Sequence, residues 1–276
     1  MNTTLNTPIK VDGVEILPFS STISPPSVGL EEYLNAPNFI GTISPNDHMF
    51  WHSRDANKYH WVGRSAIESI KAILKLANRK TIKSILDFGC GHGRVCRAIR
   101  AEFPSSKITV CDLKRDAVDF CKKEFDATPI YSSDQIRDIS LPGEFDLIWV
   151  GSVFSHLNRE SWFMLLDLFH SSLVADGILI ASVEGPFSFR QLQKGNPGGL
   201  TFSGVEKIKK DYEQEVFGYA PYKNGVSPIP TIGRTFVTHA WTQKAMQKVG
   251  FRCFAIVERG YGGLQDVFGC LRITTT

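Results

Sequence analysis

Short apolar segments alternate with amphipathic helical patterns along most of the chain, and this alternation restricts its possible folds more than any other feature. The predicted strands are 84–88, 108–112, 128–132, 145–152 and 177–183, and the predicted helices are 64–78, 93–102, 116–125 and a helix capped by Asn158 that ends near residue 172. Two of the strands, 145–152 and 177–183, are apolar on both faces, which is typical of strands buried on both sides. The alternation therefore predicts an α/β fold, in which helices cover both faces of a parallel sheet.

The alternation stops after residue 183 and resumes near residue 239. Residues 184–236 contain GPF, NPGG and SPIP and one polar helical pattern, which predicts an insertion and not a second core. A helix is predicted at 239–249, with Gly250 at its C-terminal end. Strands are predicted at 251–258 and 266–273, and their Gly-rich connection, RGYGGLQ, favours an antiparallel hairpin over a crossover.

The first 48 residues are rich in Thr, Ser, Pro and Asn and show little periodicity. Within them, VEILPF predicts one short strand or an anchoring segment. Two interpretations of residues 1–48 stay open: a partly ordered tail, or a flap over a binding site.

Three glycines follow the first predicted strand at every second position, in the stretch SILDFGCGHGRV. In doubly wound sheets this place, where a strand ends and a helix begins, is where ligands bind. A dinucleotide-binding loop would need its third glycine at position 94, but that residue is Arg94 and the glycine is Gly93. Asp87 would also repel a pyrophosphate at the mouth of this loop. The pattern therefore argues against NAD and favours a cationic ligand.

This D-x-G-x-G-x-G pattern resembles motif I of the class I S-adenosylmethionine-dependent methyltransferases. The resemblance implies that Asp87 holds the methionine part of the cofactor, whose amino group is cationic, and that the glycines pass beneath the ligand. Asp112 in VCDL matches the acid that binds the ribose hydroxyls, and Ser133 and Asp134 in YSSD match the residues that contact adenine. The segments FDLIWVGSVFSHL, ADGILIASVEG and QDVFGCLR resemble three later strands of the family.

The resemblance covers roughly residues 59–183 and 238–273 and implies a Rossmann-like, doubly wound, seven-stranded sheet, mostly parallel with a C-terminal antiparallel hairpin. It divides the chain into an N-terminal extension, 1–48, and a methyltransferase domain, 49–276, with the insertion at about 184–236 as a lid. The implied cofactor is S-adenosyl-L-methionine. The residues predicted to bind it are Tyr59, Arg64, Asp87, Gly89, Cys90, Gly91, Gly93, Asp112, Leu113, Ser133, Asp134, Gly151 and Ser152. The scattered His and Cys residues lack zinc-ligand spacing, so no metal is predicted.

His156 is the candidate catalytic base, because it follows the fourth strand and its unperturbed pKa lies near neutrality. The alternative is that His156 packs against or caps the next helix. Polar residues in or beside the insertion were considered for the acceptor pocket or, alternatively, for the surface; they are Glu184, Tyr219, Tyr222, Arg234 and His239. The stretch after strand 145–152 is not the N/D-P-P-Y/F motif of adenine or glutamine methylases, which argues against a nucleic-acid base or a protein amide as the acceptor.

The predicted function is methyl transfer to O or N of a small molecule or a sugar-containing metabolite. The alternatives are an RNA or protein methyltransferase, a protein that binds the cofactor without turnover, and aminopropyl transfer, for which GSVFSHL supplies no acidic pocket. The net charge of +3 over 276 residues neither indicates nor excludes nucleic-acid binding. No apolar run approaches the length of a membrane span, and no signal peptide is evident. Six cysteines without a CxxC pair fit free thiols in a reducing compartment, so we expect a soluble, cytoplasmic protein of undetermined oligomeric state.

Overall fold

A computed structural model describes residues 9–11, 14–16, 29–227, 229 and 232–273 of the protein. Its strands are β1 (Ile9–Val11), β2 (Val14–Ile16), β3 (Ser84–Phe88), β4 (Lys107–Asp112), β5 (Thr128–Tyr131), β6 (Phe145–Val150), β7 (Leu173–Val183), β8 (Phe217–Pro221), β9 (Gly233–Val237), β10 (Phe251–Tyr261) and β11 (Gln265–Arg272). Its helices are α1 (Leu30–Leu34), α2 (His48–Ser53), α3 (Ala56–Leu76), α4 (Cys96–Glu102), α5 (Arg115–Phe125), α6 (Arg159–Ser172), α7 (Pro186–Gln193), α8 (Phe202–Glu215) and α9 (His239–Lys248).

The central sheet has seven strands in the order β10-β11-β7-β6-β3-β4-β5. Strands β3 to β7 are mutually parallel, and only β11 runs antiparallel to its two neighbours. The order reverses between β3 and β6, so the loops after these strands diverge and leave a crevice at the carboxyl edge of the sheet. The predicted seven-stranded, mostly parallel fold with a C-terminal antiparallel hairpin is confirmed.

Most predicted elements are present, but several boundaries differ. Helix α3 begins at Ala56, not near residue 64, because the Asp55 carboxylate caps it by accepting from the amide of Lys58 at 3.1 Å. The predicted helix at 93–102 begins only at Cys96. The hairpin turn is shorter than predicted, because β10 continues to Tyr261. The predicted cap of α6 is confirmed, since the side chain of Asn158 accepts from the amide of Ser161 at 2.9 Å.

Two hydrophobic clusters cover the two faces of the sheet. The first cluster joins α3, α4 and α5 to one face and includes Ile70, Ile99 and Phe125. The second joins α6 and α9 to the other face and includes Trp162 and Phe268. These layers fix the strands rigidly and leave their carboxyl ends to carry polar residues.

The insertion packs beside this edge as two helices, α7 and α8, and the antiparallel pair β8–β9. We predicted no second core here, but the insertion buries a small cluster of its own. Its members are Phe189, Leu192, Leu200, Val205, Ile208, Ala220 and Phe236. Apolar residues spread over two short helices and a hairpin give no long period in the sequence, which is why the pattern missed this cluster.

Part of the N-terminal extension packs on the domain. Tyr33 is buried, and Arg97 donates from Nη1 to the carbonyl oxygens of Ile40 and Thr42, both at 2.8 Å. The predicted strand in VEILPF corresponds to β2, but most of residues 1–28 lie outside the described residues. Within the described ranges, no helix is both long enough and apolar enough to span a membrane.

Candidate active site

A cavity at the carboxyl edge of the sheet has two adjoining parts that share Gly89, Asp112 and His156 as lining residues. The polar chamber, of about 290 Å³, is lined further by Asp87, Cys90, Gly91, Arg94, Gly151 and Ser152. The apolar chamber, of about 200 Å³, is lined further by Leu113, Ser133, Asp134, Ile136, Ile139 and Val153. Most of the residues predicted to bind the cofactor are thus brought together here.

Asp87 presents an unpaired carboxylate oxygen in the polar chamber. Its side chain is buried, and its Oδ2 has no hydrogen-bond partner among the described residues. Burial, and secondly the negative charge of Asp112, raise the pKa of Asp87 to about 8. A buried, unpaired carboxylate is costly unless a cationic ligand compensates it. The amino group of S-adenosylmethionine fits this requirement.

Asp112 is held by backbone amides. Its Oδ2 accepts from the amide of Gly91 at 2.8 Å, and its Oδ1 accepts from the amide of Lys114 at 2.9 Å. Each carboxylate oxygen has a further lone pair, so Asp112 can still accept from the two hydroxyls of a ribose. Its position at the junction of the two chambers suits that role.

Two glycines of the loop, Gly89 and Gly93, leave no room for a side chain. Gly89 has a φ of +79°, and a Cβ there would lie 2.5 Å from Cγ2 of Val153. Gly93 has a φ of +77°, and its Cβ would lie 2.1 Å from the ring of Phe125. We predicted that all three glycines pass beneath the ligand, but Gly93 lines neither chamber and instead lets α5 approach the loop. A glycine is required at position 93 because the ring of Phe125 leaves no room for a Cβ.

Tyr59 and Arg64, which were predicted to reach the methionine carboxylate, also lie outside both chambers. Tyr59 donates from its hydroxyl to Oδ2 of Asp47 at 2.6 Å, and Nε of Arg64 lies 3.5 Å from Oε1 of Glu68. Both residues lie on the long helix α3. Tyr59 points toward the segment that precedes this helix, and Arg64 lies along the surface of the helix.

The guanidinium that does line the polar chamber belongs to Arg94. It is mostly buried and donates from Nη2 to the hydroxyl of Tyr261 at 3.0 Å. The sequence interpretation used Arg94 only as evidence against a dinucleotide loop. Because a guanidinium binds carboxylates well, the position of Arg94 directly after the glycine loop could have predicted that it binds the carboxylate of a ligand. Sequence reasoning also missed Asp47, His48 and Tyr261 as residues of this chamber.

His156 lies in a short 3₁₀ turn and faces both chambers. Its Nδ1 lies 3.0 Å from the carbonyl oxygen of Gly233 and 2.9 Å from the hydroxyl of Tyr222. A carbonyl oxygen only accepts, so the contact with Gly233 is a hydrogen bond when Nδ1 carries the hydrogen, and Nε2 of the neutral ring then has a lone pair. This is the tautomer that a general base at Nε2 requires.

The other polar residues considered for the acceptor pocket mostly pair with protein groups. Arg234 binds Glu184 through two hydrogen bonds, at 2.6 and 3.1 Å. His239 lies 2.7 Å from Oδ2 of the buried Asp266. Tyr219 lines a separate surface cleft. Among the described residues, no group of His, Cys, Asp and Glu could hold a metal ion.

The fold is that of the Rossmann-like methyltransferases, and comparisons with known proteins agree. The model of a methyltransferase domain matches residues 86–179. Malonyl-[acyl-carrier protein] O-methyltransferase from Acetivibrio thermocellus is 22% identical over 146 residues, which cover 52% of this chain and 50% of that protein. The same enzyme from Halalkalibacterium halodurans is 27% identical over 116 residues, covering 40% and 42% respectively. The chain spans about half the length of these relatives.

Two solved structures share the fold. An O-methyltransferase family protein from Burkholderia thailandensis superimposes with a TM-score of 0.52 at 12% identity, covering 90% of this chain and 68% of that one. Human N-acetylserotonin methyltransferase, in complex with S-adenosylmethionine, gives a TM-score of 0.51 at 14% identity, covering 89% and 66%. Residues 86–179 thus match a methyltransferase domain, and the fold is the one shared by class I S-adenosylmethionine-dependent methyltransferases. The predicted family and its cofactor, S-adenosyl-L-methionine, are confirmed.

Proposed function

We propose that the protein transfers a methyl group from S-adenosyl-L-methionine to an oxygen or nitrogen atom of a small molecule or a sugar-containing metabolite. The observation that carries this proposal is the unpaired, buried carboxylate of Asp87 in a cavity that His156 also lines. A cation-binding group and a candidate base in one cavity suit the transfer of a methyl group from a sulfonium to a protonated acceptor.

The polar chamber would hold the amino-acid portion of the cofactor. Asp87 would accept hydrogen bonds from the amino group, and Arg94 would donate to the carboxylate. Asp112 would bind the ribose, and the apolar chamber, with Leu113 and Ile136, would hold adenine. The bound cofactor supplies an electrophilic methyl group on sulfur.

His156 would remove the proton from the acceptor. Its Nε2 would take the proton, while the Nδ1–H bond to the Gly233 carbonyl stabilises the resulting imidazolium. Both partners of Nδ1 belong to the insertion: Tyr222 directly follows β8, and Gly233 is the first residue of β9. The insertion would therefore act as the lid of the acceptor site.

A small acceptor fits better than a macromolecule. The insertion contributes Ile229 and Ile232 to the apolar chamber and contacts His156, so the site lies beneath it and not on an open surface.

The presence of six free cysteines supports a reducing location such as the cytoplasm.

Calorimetric titration with S-adenosylmethionine, S-adenosylhomocysteine and NAD tests the cofactor assignment. We expect micromolar binding of the two sulfur compounds and no binding of NAD. A panel of hydroxyl and amine acceptors can then be screened by release of S-adenosylhomocysteine. Tight NAD binding, or turnover with RNA but with no small acceptor, would contradict the proposal.

A further inference from the structure

Four polar side chains join the loop after β6 to the ends of β7 and β11. Oε1 of Gln265 lies 2.6 Å from Oγ of Ser182 and 3.2 Å from Oγ of Ser152. Nε2 of Gln265 lies 3.4 Å from Oγ of Ser155. The carboxamide of Gln265 thus contacts three serines that belong to two different segments.

The direction of these hydrogen bonds follows from their partners. Oγ of Ser182 accepts from the amide of Ser152 at 2.8 Å, so it can donate its own hydrogen to Oε1 of Gln265. Oγ of Ser155 donates to the carbonyl oxygen of Ser152, so it accepts from Nε2 of Gln265. Position 265 therefore needs an acceptor and a donor on one side chain, which a carboxamide supplies and a carboxylate does not.

Ser152 is held in an unfavourable backbone conformation. Its φ is +64°, in the left-handed region that non-glycine residues rarely occupy. Such conformations persist where surrounding contacts enforce them, often at functional sites. Ser152 lines the polar chamber, and His156 follows four residues later. The conformation of Ser152 therefore sets the path of the chain from the cofactor site to the candidate base.

We propose that Gln265 is a positioning residue, which holds Ser152 and Ser155 so that His156 faces the cavity. Gln265 lines neither chamber itself, so it acts through the loop. The link to catalysis rests on the function proposed above, whereas the orientation of His156 is a property of the protein alone.

Nuclear magnetic resonance of the histidine ring nitrogens in the ligand-free protein tests the proposal directly. The His156 signals are assigned by their loss in His156→Asn. In Gln265→Met, which keeps the length but removes both polar groups, these signals should move away from wild-type positions. Gln265→Glu, which loses the donor to Ser155 and adds a negative charge, should also move them. The matched control, Gln247→Met on the exposed face of α9, should leave them in place.

Affinity for S-adenosylhomocysteine is the second readout, because Ser152 lines the cofactor cavity. We expect the dissociation constant to rise about 5- to 30-fold in Gln265→Met, the range for one or two lost buried hydrogen bonds. If that variant does not fold, Ser155→Ala breaks the same connection with a smaller change. Adding Ser152→Gly to Gln265→Met should restore both readouts in part, because glycine adopts a positive φ without strain.

Two results separate the proposals. Unchanged His156 signals in Gln265→Met and in Ser155→Ala would overturn the positioning role, whatever the cofactor affinity. A wild-type protein that does not bind S-adenosylhomocysteine would overturn the proposed function. Displaced His156 signals in the Gln265 variants would then still support the positioning role.

Discussion

The buried carboxyl group of Asp87 should make cofactor affinity depend on pH. In the ligand-free protein, burial and the charge of Asp112 raise the pKa of Asp87 to about 8, so the group is mostly protonated at pH 6. A cationic amino group favours the carboxylate, so binding must release this proton. Raising the pH from 6 to 8 should therefore increase the affinity.

The size of the effect follows from linkage. Each pH unit below the pKa of the free protein costs about a factor of ten in affinity, or about 1.4 kcal/mol, as long as the pKa of the complex lies lower still. Between pH 8 and pH 6 the affinity for S-adenosylhomocysteine should thus fall by about 50-fold, because half of the Asp87 carboxyl groups are still protonated at pH 8. Titration calorimetry in buffers of different ionisation enthalpy measures both the affinity and the number of protons released.

Two variants distinguish the source of this dependence. Asp87→Asn cannot ionise, so its weaker binding should lose the pH dependence. Asp112→Asn removes a neighbouring negative charge, so the pKa of Asp87 should fall and the transition should move to lower pH. A wild-type affinity that stays constant from pH 6 to pH 8, with no proton release, would refute the assignment of Asp87 as the partner of the amino group.

Three further predictions concern individual residues. His156→Ala should lower the methylation rate by about 10²- to 10⁴-fold in the S-adenosylhomocysteine-release assay while cofactor affinity changes little; an unchanged rate would exclude the base role. Gly93→Ala should destabilise the protein by about 1–3 kcal/mol more than Gly143→Ala in urea unfolding, because both positions have a φ of +77° but only at Gly93 would a Cβ strike the Phe125 ring. Arg94→Lys should weaken binding of S-adenosylhomocysteine about tenfold but leave binding of 5′-methylthioadenosine unchanged, because the latter lacks the carboxylate; equal losses for both ligands would contradict the contact.

The sequence predicted the parallel sheet and its strand ends because both depend on local patterns. The strand 84–88 is recognised by its buried apolar residues, and a glycine begins the loop after it. The carboxyl ends of neighbouring parallel strands meet at one edge, so Asp87 and Asp112 could be placed together without a structure. The fold class alone therefore sets the approximate distance between Asp87 and Asp112.

Contacts between helices and loops could not be predicted in the same way, because the sequence pattern does not show how these elements pack against one another. The direction of Tyr59 depends on where α3 begins, and an N-terminal cap moved that point eight residues earlier than periodicity indicated. The family resemblance implied that Gly93 faces the ligand, but the packing of Phe125 from α5 decides its surroundings. Periodicity contains no information on either contact.

The orientation of His156 shows how the insertion and the sheet act as one site. His156 belongs to the loop after β6, and Gln265 and Ser182 hold the backbone of that loop from the sheet side through Ser152 and Ser155. The ring itself, however, is oriented by Gly233 and Tyr222 from the insertion. Because the insertion supplies both contacts to Nδ1, we expect the orientation of the His156 ring to depend on the position of the insertion. We therefore expect substitutions in the insertion to change both the choice of acceptor and the activity of His156 as the proposed base.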